Sequence, residues 1–148
     1  MAKFIQLDES FSVSAQITPA DLEKVKAAGF TAVICNRPDN EGDGQPMAEL
    51  VAAAARKLDL KFHYIPVGGM SFADGYVDDM AAALRVSEGK TLAYCRSGLR
   101  SALIWALASA RGGKSSTKIV DQVETAGFPT RVIRTSLGLT SEPSRLSA

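Results

Sequence analysis

Residues 91–107, TLAYCRSGLRSALIWAL, contain a short apolar run, a polar loop that begins at Cys95, and the start of a helix. A strand, a short loop and a helix N-terminus in this order turn backbone N–H groups toward a bound anion. The same positive potential lowers the pKa of a thiol and favours the thiolate. The stretch therefore predicts a cysteine nucleophile, reachable by a substrate, that performs covalent chemistry on a phosphate, a sulfate or a sulfur species.

The residues that follow Cys95 suit an anion-binding loop. The predicted loop consists of Arg96, Ser97, Gly98 and Leu99. Ser97 and Gly98 let the backbone approach an anion closely, and Gly98 can adopt a positive φ. Arg100 offers a planar fork of donors that matches phosphate or sulfonate oxygens. Ser101 can hydrogen-bond the thiolate, cap the helix or protonate a leaving thiolate. The alternative is a buried cysteine followed by a cationic helix cap.

Length and composition narrow the class of protein. A chain of 148 residues with 46% apolar and 22% charged residues predicts one soluble domain with a substantial core. The net charge of +1 is too small to indicate electrostatic binding to nucleic acid or to a membrane surface. The sequence shows no secretory signal and only two cysteines, which predicts a cytoplasmic protein. The expected partner is a small anionic substrate or a phosphorylated group.

Strand and helix patterns alternate along the chain. Strands are predicted over residues 3–7, 11–14, 31–35, 60–67 and 91–94. Helices are predicted over residues 18–28, 46–58, 101–111 and 115–126, and from residue 72 or 74 to residue 86. This alternation predicts an α/β fold with a parallel central sheet flanked by helices on both faces. The domain is predicted to span residues 1–134, with residues 135–148 as a mobile tail rich in Ser, Thr and Gly.

The cysteine loop resembles the active-site loops of rhodaneses and of a bacterial tyrosine-phosphatase-like family. The second resemblance extends to other segments, which are SVSAQITPADL (12–22), GFTAVICNRPD (29–39), IPV (65–67) and YCRSGLRS (94–101). Together they resemble the DUF442 family, the phosphatase-like domain of beta-lactamase hydrolase-like proteins. The resemblance implies a dual-specificity-phosphatase-like fold, with Cys95 as the nucleophile of a cysteinyl-phosphate intermediate and Arg100 as the anion-binding arginine.

The loop departs from ordinary tyrosine phosphatases in two ways. Four residues separate Cys95 from Arg100, where those enzymes have five, and Tyr94 precedes the cysteine where they have a histidine. Four is the rhodanese spacing, and rhodaneses carry a persulfide sulfur. Three functions therefore stay open: a phosphatase, a sulfurtransferase with a persulfide on Cys95, and a non-catalytic anion-binding domain.

A phosphatase also needs an acid to protonate the leaving oxygen. Ahead of the cysteine strand, the first carboxylate after residue 65 is Asp74, which can equally cap a helix. Asp39 and Glu41 follow the strand that ends at residue 35 and are alternative acids, unless they are solvated loop carboxylates. Arg37 either reaches the substrate or braces its own loop.

The remaining candidates are the second cysteine and the single histidine. Cys35 is either a core residue or a partner that forms a disulfide with Cys95, which requires Cα atoms within about 7 Å. His63 is alone in the chain, and the cysteines lack C-x-x-C spacing. We therefore predict neither a metal nor a cofactor.

Overall fold

The computed structural model describes residues 3–70 and 72–140. Within these ranges the strands are β1 (Ile5–Asp8), β2 (Phe11–Ser14), β3 (Phe30–Cys35), β4 (Lys61–Tyr64) and β5 (Lys90–Tyr94). The helices are α1 (Leu22–Ala27), α2 (Ala48–Lys57), α3 (Asp74–Val86), α4 (Leu99–Arg111), α5 (Ser116–Thr125) and α6 (Arg131–Arg134). None of the described helices combines the length and apolar character needed to cross a membrane. The predicted α/β class is confirmed.

The strands form one sheet in the order β1-β2-β5-β3-β4. Neighbouring strands from β2 to β4 run parallel, as predicted for the central sheet, whereas the edge strand β1 pairs antiparallel with β2 and makes the complete sheet mixed. The reason is the link from β1 to β2, which contains only Glu9 and Ser10. So short a link permits a hairpin but not the crossover that parallel strands need.

Helices cover both faces of the sheet, as predicted. Along β5 the side chains alternate: Leu92 and Tyr94 pack in the core beneath α1 and α2, while Ala93 packs in the core beneath α3, α4 and α5. In the second core Trp105 of α4 is 2% exposed and stacks on Phe11 of β2, with 5.7 Å between ring centroids. Strand β5 is therefore packed on both of its faces, and α4 is packed against the sheet.

Helix α4 begins two residues earlier than predicted. Gly98 is its N-cap and has φ 98°, in the left-handed region that glycine adopts without strain. The chain consequently turns into the helix at Leu99 instead of Ser101, and the amide of Ala102 donates to the Gly98 carbonyl at 3.0 Å. This early start places Arg100 and Ser101 in the first turn of the helix.

The described part of the predicted tail is packed against the domain. Thr135–Leu137 forms a 3-10 turn, and Leu137 is 7% exposed in the core beneath α3, α4 and α5. The amide of Leu139 donates to the carbonyl of Arg134 at 2.9 Å. The domain therefore continues past the predicted boundary at residue 134, because Leu137 supplies apolar surface to the core. Residues 141–148 of the predicted tail lie outside the described residues.

Candidate active site

The carboxyl ends of β2, β5 and β3 lie side by side because β5 sits between the other two. Loops that follow neighbouring parallel strands meet at one edge of a sheet, where ligands usually bind. Backbone hydrogen bonds tie these loops together: Gln16 N donates to Arg96 O at 3.3 Å, and Asn36 N donates to Tyr94 O at 2.8 Å. The loop that begins at Cys95 is therefore the middle of three adjoining loops.

The sulfur of Cys95 lies at the N-terminus of α4. The backbone N–H of Gly98 donates to Cys95 Sγ, with 3.1 Å between nitrogen and sulfur. The positive end of the helix dipole reinforces this contact. Arg96 and Ser97 of the predicted loop are exposed, whereas Gly98 is buried and Leu99 is half-buried. The structure thus brings the cysteine and the predicted loop together at the expected helix end.

Arg100 lies beside the same sulfur and binds a carboxylate. Its Nη1 donates to Glu41 Oε2 and its Nη2 donates to Glu41 Oε1, both at 2.7 Å. Nη1 also donates to the carbonyl of Val67 at 2.8 Å. The hydrogen bond with Glu41 is the main cause that raises the pKa of Arg100, and the nearby Cys95 acts in the same direction. The same pairing with Arg100 lowers the pKa of Glu41, and Arg37 adds to that effect.

The site is closed in this structure. Cys95 is 0% exposed, whereas the sequence predicted a nucleophile that a substrate can reach. The Glu41 carboxylate occupies the guanidinium nitrogens of Arg100, where we expected an anionic substrate to bind. Access to the sulfur therefore requires a rearrangement, and Glu41, whose side chain is 28% exposed, is the more accessible member of the pair.

Ser101 binds Asn36, a partner that none of its three predicted roles included. Its hydroxyl donates to Asn36 Oδ1 at 2.8 Å, and the Asn36 amide donates to the carbonyl of Ile65 at 3.0 Å. Ser101 and Asn36 are both 0% exposed. Because α4 starts early, Ser101 faces the end of β3, and its one hydroxyl proton is committed there instead of to the thiolate. Sequence reasoning missed Asn36, although a polar residue directly after a buried strand was a usable signal.

Arg37 hydrogen-bonds both its own loop and the loop after β2. Its Nε donates to Glu41 Oε1 at 3.0 Å, and its Nη1 donates to Gln16 Oε1 at 3.0 Å. A Cβ atom on Gly42 would lie 2.8 Å from Arg37 Nη2, so the loop also closes tightly over the guanidinium. Gln16, which joins the β2 loop to this network, was missed, although it lies two residues after the end of β2, which borders the cysteine strand.

Two of the predicted acids have structural roles. Asp39 Oδ1 accepts from the amide of Ala48 at 2.8 Å and so caps the start of α2. Asp74 Oδ1 accepts from Nη2 of Arg111, the last residue of α4, at 2.7 Å. Cys95 precedes the first turn of that helix, which is roughly 20 Å long. Asp74 is therefore held at the far end of α4 and is not brought to the cysteine.

Cys35 occupies the core beneath α1 and α2. It pairs with Tyr94 across β3 and β5, which places it one residue from Cys95 along the neighbouring strand. Its thiol donates to the carbonyl of Arg37 at 3.3 Å, and burial raises its pKa. Tyr94 packs in the same core, and burial raises the pKa of its hydroxyl, which bonds no nitrogen or oxygen and lies against the weakly bonding thiol of Cys35. Successive side chains of a strand alternate between faces, so this arrangement favours the core role over a disulfide with Cys95.

His63 lies half-buried on the edge strand β4. Within residues 3–70 and 72–140, no three His, Cys, Asp or Glu side chains are grouped as metal ligands would be.

A protein family and a curated protein both match most of this chain. Residues 3–112 match the model of the phosphatase-like domain of beta-lactamase hydrolase-like proteins. A beta-lactamase hydrolase-like protein of Xylella fastidiosa is 29% identical over 125 residues, which are 84% of this chain but 28% of that protein. The chain thus spans less than a third of the length of this curated relative.

Solved structures share the fold. A protein of Neisseria meningitidis that is named as a candidate phosphatase is 30% identical, with a TM-score of 0.77 over 90% of this chain and 94% of that chain. A kinase-associated phosphatase is 14% identical, with a TM-score of 0.67 over 95% of this chain and 97% of that chain. The second likeness shows that the fold is shared with a kinase-associated phosphatase.

Proposed function

Because this chain belongs to the family of phosphatase-like domains of beta-lactamase hydrolase-like proteins, we propose that it is a cysteine-dependent hydrolase of anionic phosphate esters. The observation that carries the proposal is the Gly98 N–H donated to Cys95 Sγ at the N-terminus of α4, with the Arg100 guanidinium alongside. These groups stabilise a thiolate and, next to it, a phosphoryl group. The proposal concerns this domain and not the longer relatives.

The reaction proceeds in two displacements. Cys95 Sγ attacks phosphorus, the S–P bond forms, the ester P–O bond breaks, and the leaving oxygen takes a proton. Water then attacks phosphorus, the S–P bond breaks, and inorganic phosphate leaves while the thiolate is restored. Arg100 and the amides of residues 96–99 hold the equatorial oxygens, and exposed Arg96 adds positive charge at the entrance. Ser101 positions the start of α4 through Asn36.

The test is hydrolysis of para-nitrophenyl phosphate by the intact chain. We expect turnover that Cys95→Ser abolishes and that Cys35→Ser, which alters the other buried cysteine, retains. Turnover that survives Cys95→Ser, or that disappears equally in both variants while both remain folded, would contradict the assignment. Thermal melting of each variant establishes that it is folded.

The four-residue spacing between Cys95 and Arg100 favours a second candidate, sulfur transfer. In that reaction Cys95 attacks the outer sulfur of thiosulfate, sulfite leaves, and a persulfide remains on the cysteine. Cyanide then removes that sulfur as thiocyanate and restores the thiolate. Thiocyanate formation without ester hydrolysis would favour the sulfurtransferase, and the absence of both activities would favour an anion-binding domain.

A further inference from the structure

Glu41 joins the two arginines of the candidate site. Its carboxylate accepts two hydrogen bonds from Arg100, and Oε1 accepts a third from Arg37 Nε at 3.0 Å. Glu41 comes from the loop between β3 and α2, 59 residues before Arg100 in sequence. The sequence named Glu41 as an alternative acid, but no local pattern requires its pairing with Arg100, which only the structure reveals.

The pairing has a direct consequence for substrate binding. A bidentate carboxylate uses the same edge of the guanidinium that a phosphate would use. The Val67 carbonyl anchors Arg100, so the guanidinium is already oriented when an oxyanion arrives. Glu41 occupies the two guanidinium nitrogens that the oxyanion would bind. Arg37 keeps its contact with Glu41 through a separate nitrogen, so the carboxylate can leave Arg100 and still have a partner within its own loop.

We propose that the incoming phosphate displaces Glu41 from Arg100 and that Glu41 then serves as the general acid. This inference rests on the proposed phosphatase function. Once displaced, Glu41 loses the contact that does most to keep it ionised and lies next to the negative charge of the substrate. It takes up a proton from solvent and gives it to the leaving oxygen as the P–O bond breaks. As a carboxylate again, it accepts a proton from the water that attacks the cysteinyl-phosphate.

The surroundings of Glu41 support this role. The charged or titratable groups around it are its cationic partners Arg100 and Arg37, Asp39 and Asp43 of the same loop, and Cys95 beyond Arg100. Asp39 is committed to the start of α2, and Asp74 is held at the end of α4. Of the three carboxylates that the sequence singled out, Glu41 is the one that contacts the anion-binding arginine.

A leaving-group comparison tests the acid. Para-nitrophenolate leaves without a proton, whereas the phenolate of phenyl phosphate depends on one. We expect Glu41→Gln to lower kcat/KM on phenyl phosphate by about 10²-fold or more and on para-nitrophenyl phosphate by much less. Equal losses on both esters would overturn the acid role. Glu49→Gln, which alters an exposed carboxylate paired with Arg56, is the matched control and leaves both rates unchanged.

Calorimetry with inorganic phosphate tests the exchange without turnover. In the Cys95→Ser background we expect Glu41→Gln to bind phosphate several-fold more tightly, because the internal competitor is weakened. Unchanged or weaker binding would show that Glu41 braces Arg100 instead and would overturn the exchange. If the wild-type chain hydrolyses neither ester, the proposed function and the acid role fail together, while phosphate affinity still decides the exchange.

Discussion

Substitution of Gly98 by alanine tests two effects. One is the cost of backbone strain to the free energy of unfolding, and the other is the contribution of the Gly98 amide to the reactivity of the Cys95 thiol. Gly98 has φ 98°, and a Cβ there would lie 3.4 Å from the Phe128 ring and 3.5 Å from the Ser14 carbonyl carbon, which are ordinary contacts. The penalty is therefore conformational, and a left-handed non-glycine residue costs about 1–2 kcal/mol. We expect the free energy of unfolding of Gly98→Ala, measured by urea denaturation, to fall by that amount.

The matched control is Gly113→Ala. Gly113 has φ 95° just after α4, and a Cβ there would meet nothing within 4 Å. Its loss of unfolding free energy should therefore be similar. Only Gly98→Ala shifts the amide that donates to Cys95 Sγ, so only that variant should slow the reaction of the thiol with iodoacetamide in the Glu41→Gln background, where the site is more open.

Two results would refute this reasoning. If Gly98→Ala costs no stability, the backbone there does not need a left-handed residue. If both alanine variants slow alkylation equally, the effect arises from general destabilisation and the Gly98 amide has no special role at the sulfur.

Two further predictions concern ionisation and burial. The pKa of Glu41 is lowered in the native state, so its stabilising contribution is present above the ordinary glutamate value of about 4.3 and is lost as pH falls through the lower native value. Urea denaturation at a series of acidic pH values should show a shallower loss of stability in Glu41→Gln than in the wild-type chain; identical slopes would contradict the pairing with Arg100. Tyr94→Phe removes a buried hydroxyl that bonds no nitrogen or oxygen and lies against the weakly bonding Cys35 thiol, so its free energy of unfolding at neutral pH should equal or exceed that of the wild type, and a loss above about 1 kcal/mol would show that the contact with Cys35 is a stabilising hydrogen bond.

The sequence predicted those parts of the fold that depend on local periodicity. The apolar runs of β3 and β5 and the helical spacing around Trp105 identify buried elements without knowledge of their neighbours. The direction of β1 was missed, although the two-residue link at Glu9 and Ser10 was sufficient to predict a hairpin. That error arose from applying the strand–helix alternation to a segment that has no helix.

The candidate site was predicted only in part. Arg100 lies five positions after Cys95, so their proximity follows from a six-residue segment that ends in the first turn of α4. The partnership of Glu41 with Arg100 depends on sheet order, because it requires the end of β3 to lie next to the end of β5. The position of Asp74 depends on how α3 packs against α4, which no spacing in the sequence determines. Polar contacts between distant segments are decided by topology and so escape local reasoning.

Eight of the thirteen residues of α4 are buried, which anchors this helix in the core. A helix wedged into the core on this scale has little freedom to slide or tilt as a rigid rod. In the proposed exchange, the guanidinium of Arg100 would therefore keep its position while the segment that carries Glu41 moves. Variants designed to change the activity of this domain should therefore alter the segment after β3 and keep α4 unchanged.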